Sequence, residues 1–111
     1  MFLAILATQL FLAPIGSFVN QLPPAFFLLV HVVLFLVGAY LAYRSFSAAN
    51  SLMGWGFALF ALAEVSYITY HLDWTVFLFA HTISEVLDVV AFILVFVGAT
   101  RRVLAGAAAR A

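Results

Sequence analysis

Three long runs of apolar residues leave this chain few ways to fold. They cover roughly 24–43 (PAFFLLVHVVLFLVGAYLAY), 52–70 (LMGWGFALFALAEVSYITY) and 75–99 (TVFLFAHTISEVLDVVAFILVFVGA). About 20 mostly apolar residues in helical form cross the hydrocarbon core of a bilayer. A helix is the natural form there, because it satisfies its own backbone polar groups where no water can. Composition points the same way: 68% of the 111 residues are apolar and 7% are charged. Soluble domains average roughly 45–50% apolar and about 25% charged, so lipid must be part of this protein's solvent.

A fourth stretch, 1–19, is long enough to span but contains Gln9, Pro14, Gly16 and Ser17. It is expected as a kinked first span, with an interfacial or re-entrant segment as the alternative. Asn20–Pro23, Arg44–Ser51 and His71–Trp74 are short connections, which favour antiparallel neighbours. The expected fold is therefore an all-α, up-and-down four-helix transmembrane bundle, a single domain over 1–111. Pro23 and Pro24 mark a helix start, and Asn50 and Ser51 are candidate N-caps. The tail after residue 99, ending VLAGAAARA, is expected to be short and weakly structured.

Arg44 lies in the second connection, while Arg101, Arg102 and Arg110 follow the last span. An even number of crossings separates these places, so all four arginines share one side. The positive-inside rule makes that side, and the C-terminus, cytoplasmic. The expected location is a prokaryotic cytoplasmic membrane. Net charge is zero and lysine is absent, so no basic surface exists for a nucleic acid. The absence of cysteine excludes disulfides, thiolate metal sites and iron–sulfur clusters.

Against this background the stretch HTISEVLDVV at 81–90 is unusual. His81, Glu85 and Asp88 follow i, i+4, i+7 spacing and share one helical stripe, with Ser84 beside them. At about 1.5 Å per residue, His31, Glu64 and His81 each lie about 9 Å below the outer boundary, on three different spans. Glu85 and Asp88 continue to about 15 Å and 20 Å, and His71 stands at the outer edge. An acidic residue near mid-membrane costs about 2.5–3.5 kcal/mol on insertion scales unless compensated. No Lys or Arg inside a span is available to compensate Glu64, Glu85 or Asp88.

Four uses of this column follow. Imidazole and carboxylate ligands suit a divalent transition metal (zinc, copper, iron or manganese), and His31, Glu64 and His81, with Glu85 as a fourth, form the leading set. A b-type haem between His31 and His81 ranks lower, because Glu64 at the same level would sit against an apolar macrocycle. A proton relay or proton-coupled transporter would use the whole column, including Ser84, Asp88 and His71. A non-catalytic accessory subunit of a respiratory or photosynthetic complex, or a homo-oligomer, would use the polar groups to pair helices. Each of these residues alone is also compatible with packing inside the bundle. An enzyme would require the metal to be redox-active or hydrolytic, since no nucleophile–base constellation supports one independently, and the thirteen phenylalanines read as lipid-facing and core filling.

Overall fold

The computed structural model describes residues 1–3 and 14–111. Among them the regular structure is all helical: a 3-10 helix at Ser17–Gln21, then α1 (Pro24–Ser47), α2 (Ser51–His71) and α3 (Phe77–Arg110). All three α-helices are long and apolar enough to cross a membrane. The protein is an integral membrane protein by this measure, and its surroundings are lipid. A four-helix bundle is not shown. Most of the expected first span, residues 4–13, lies outside the described residues, and its end is a turn leading into the 3-10 helix.

Local chemistry sets the helix boundaries. Pro24 occupies the first turn of α1, where a missing N–H costs nothing, and Pro23 before it is extended at φ −65° and ψ 146°. The link between α1 and α2 turns through Ala49 at φ 58°. Asn50 then caps α2, its side-chain oxygen accepting from the Met53 N–H at 3.3 Å. The same amide donates to the Gly98 carbonyl at 3.2 Å, tying this corner to α3. One asparagine thus satisfies one of the helix's orphan donors and ties it to a neighbour.

The helices form an open layer. α2 packs against both α1 and α3, whereas no Cα of α1 comes within 8 Å of a Cα of α3. Small residues carry both interfaces: Gly38 and Ala42 on α1, Gly54, Gly56, Ala61 and Ala63 on α2, and Ala80, Ser84, Ala91 and Gly98 on α3 are buried. Apolar attraction between helices is weak in lipid, so close backbone approach supplies the dispersion energy. A Cβ at Gly56 would stand 2.6 Å from Val95 Cγ2 and 2.9 Å from the Ala91 carbonyl oxygen. Gly38 is packed as closely, with Phe60 Cδ1 2.7 Å from the corresponding point. Two hydroxyls add hydrogen bonds across α2 and α3, Ser66 to the Ala80 carbonyl at 3.1 Å and Ser84 to the Ala63 carbonyl at 2.9 Å.

The expectation of a weakly structured tail is corrected: α3 runs for 34 residues without a break and ends at Arg110. Alanine is the strongest helix former, and the tail is rich in it. From Gly98, level with Asn50, the helix continues roughly 18 Å past the body of the layer. Arg101 and Arg102 line a cavity with Ala49, Asn50 and Ser51, which places them beside the α1–α2 link, and Arg44 lies in the last turn of α1 just before that link. One end of the layer is therefore the arginine end. The other carries His71 and Asp73, the latter at φ 61°.

Candidate intramembrane polar site

Stripe geometry on α1 and α2 builds the site. His31 lies one helical turn below Phe27 on α1, and Glu64, Tyr67 and His71 follow i, i+3, i+7 spacing on α2. Where the two helices meet, His31 Nδ1 stands 2.5 Å from Glu64 Oε2. Glu64 is only 5% exposed, so this carboxyl has been removed from lipid and water alike. Either partner can carry the proton between them: a neutral imidazole with a carboxylic acid, or an imidazolium with a carboxylate. Both forms are neutral overall, which keeps the pair tolerable at this depth.

Rings from the two helices interleave around this pair. His71 stacks on Phe27 (centroids 5.5 Å, 7°) and on His31 (5.1 Å, 24°), and His31 stacks in turn on Tyr67 (4.8 Å, 20°). The order Phe27–His71–His31–Tyr67 thus alternates between α1 and α2. On the far side, Tyr67 Oη is 3.2 Å from His81 Nδ1 and donates to Glu85 Oε1 at 3.4 Å. His81 is backed by Phe77 at 5.2 Å. Tyr67 accordingly joins α2 to α3, and two hydrogen-bonded groups, His31–Glu64 and Tyr67–His81–Glu85, face each other across one stacked ring pair.

Not all of the expected residues converge. His31 and Glu64 meet; His81 and Glu85 meet Tyr67 instead. Among the described residues no three His, Asp or Glu side chains gather in a metal-ligating arrangement. The open layer explains this, since α1 and α3 present His31 and His81 from opposite sides of α2. Ser84 is engaged with the Ala63 carbonyl and serves helix pairing. Asp88 joins neither group, and its Oδ1 is buried without a hydrogen-bond partner among the described residues. Tyr67 is the member that reading the sequence missed. Its signal was present, three residues after Glu64 on the same stripe.

Above the rings a cavity of about 430 Å³ opens at the His71 end, lined by Asn20, Leu22, Phe27, Tyr70, His71 and Asp73 among others. It brings the end of the layer to within one ring of His31, because His71 both lines the cavity and stacks on His31. Comparison with protein-family models, with curated proteins and with solved structures gave no match, so the function is read from this geometry alone.

Proposed function

We propose that this is a small membrane protein that accepts and releases protons within the bilayer, as a relay or as the proton site of a coupled transporter. The observation that carries the reading is the buried His31–Glu64 pair at 2.5 Å. An isolated ionised carboxylate in hydrocarbon is costly, whereas a pair that shares one proton can gain or lose another and change charge by one unit. Tyr67, His81 and Glu85 supply a second exchangeable group next to it. The His71 cavity gives the pair its route to water. With the arginine end cytoplasmic, that route opens on the outer side.

A resident metal ion receives less support, because its expected ligands are divided: His31 and Glu64 bind each other, and His81 serves Tyr67. The same division weighs against a haem held between His31 and His81. The reading is tested by reconstituting the full chain in liposomes with an internal pH-sensitive dye and imposing a pH step. Faster equilibration than in empty liposomes is expected, lost in Glu64→Gln and slowed in Tyr67→Phe. Equal rates for wild type and Glu64→Gln would end this reading. Elemental analysis after purification without metal-affinity resin supplies the competing arm: stoichiometric zinc, copper, iron or manganese that disappears in His81→Ala would favour the metal site instead.

A further inference from the structure

Below the polar site, the open side of the layer forms a groove. Its floor is α2, with Gly56, Phe57 and Phe60, and its walls are Leu34 and Val37 of α1 and Asp88 and Phe92 of α3. The volume is about 440 Å³ and the lining is almost wholly apolar. Asp88 is the exception, a single carboxyl whose Oδ1 is buried with no donor among the described residues. Every other in-span acid has a partner: Glu64 has His31, and Glu85 has Tyr67. The chain contains no lysine, and its arginines stand at the far end of the helices. Asp88 therefore lacks an internal counter-ion.

Charge complementarity then defines the occupant. A neutral acyl chain would fill the apolar walls but leave Asp88 without a counter-charge in a low-dielectric setting. A small inorganic cation would meet the carboxyl but lose its hydration against phenylalanine and leucine. A hydrophobic organic cation satisfies both, offering charge to Asp88 and apolar surface to walls that include Phe57, Phe60 and Phe92. We infer that the groove between α1 and α3 binds a hydrophobic monovalent organic cation, with Asp88 as its counter-ion. This site is separate from the His31–Glu64 pair, and binding there does not depend on whether that pair exchanges protons.

Two probes of the same shape and opposite charge test the assignment: tetraphenylphosphonium and tetraphenylborate. Each is titrated by equilibrium dialysis against the full chain in nanodiscs of neutral lipid, with empty nanodiscs subtracted. Tetraphenylphosphonium is expected to bind saturably at one per chain, and tetraphenylborate only to partition. Asp88→Asn, which keeps the side-chain shape, should weaken the cation at least about tenfold. Val37→Trp, at a half-exposed position on the groove wall (46% exposed), should do the same by filling the space while leaving Asp88 in place. Unchanged affinity in either variant, equal saturable binding of both probes, or no saturable binding by the wild type would overturn the inference.

Discussion

Glu64 Oε2 and His31 Nδ1 lie 2.5 Å apart although 33 positions separate the two residues in the chain. The contact is the one ion-pair geometry among the described residues, and it sits between α1 and α2 with His31 18% and Glu64 6% exposed at the side chain. Removing one member would strand the other.

That asymmetry gives the first prediction. His31→Ala leaves a buried carboxyl without its partner and should cost about 1–3 kcal/mol. The double variant His31→Phe/Glu64→Leu removes both polar groups and restores apolar packing, so it should be clearly more stable than His31→Ala. Unfolding in mixed micelles by titration with a denaturing detergent measures both. Additive losses across the two positions would show that the pair is not energetically coupled.

Tyr67 offers a way to separate hydrogen bonding from stacking. Tyr67→Phe keeps the ring over His31 but deletes the hydroxyl shared by His81 and Glu85. Stability should change by no more than about 1 kcal/mol, while the side-chain nitrogen resonances of His81 should shift and those of His31 should not. Equal shifts at both histidines would mean that the two hydrogen-bonded groups form one network.

Close packing of α2 on α3 predicts opposite outcomes for two glycines. Gly56→Ala places a methyl against the backbone of α3 and should destabilise by about 1–3 kcal/mol. Gly106→Ala meets nothing nearer than 3.9 Å and lies in a helix, so it should be neutral or stabilising by up to about 1 kcal/mol. The same detergent titration reads both, and tolerance of alanine at position 56 would show that the interface is looser than described.

Orientation is tested by labelling. Single cysteines at Ser47, the last residue of α1, and Leu72, just past the far end of α2, are both at exposed positions and should react with a membrane-impermeant thiol reagent from opposite faces. The arginine end, with Ser47, is expected to be protected in intact cells. Labelling of both positions from one face would remove the basis for matching the residues by depth.

Length and hydropathy made the three spans legible, and Pro24 and Asn50 marked two of the helix starts at the observed places. Counting residues also gave His31 and Glu64 a common depth. Depth is a one-dimensional quantity, however, and a contact needs the azimuth as well. The sequence carries no direct statement that α1 and α3 stay apart, so His31, Glu64 and His81 read as one site when α2 in fact divides them. Tyr67 was lost among aromatics that mostly face lipid. The helical tail was underestimated because its small residues bury nothing, and only their backbone preference holds it.

An open layer in which each helix touches only its neighbour in sequence also fixes an order of assembly. α1 and α2 contain between them everything that their interface requires, including both halves of the His31–Glu64 pair, so this hairpin can close while α3 is still being synthesised. The last helix arrives with Glu85 and Ser84 and finds the Tyr67 hydroxyl and the Ala63 carbonyl already presented. Because the backbones of α3 and α1 stay apart, a ribosome that stalls after residue 76 would leave a nascent chain with a finished interface. A lesion in the first hairpin, by contrast, would deprive the incoming helix of its docking face. Biogenesis of this protein should therefore be vectorial, with damage early in the chain felt later in it and seldom the reverse.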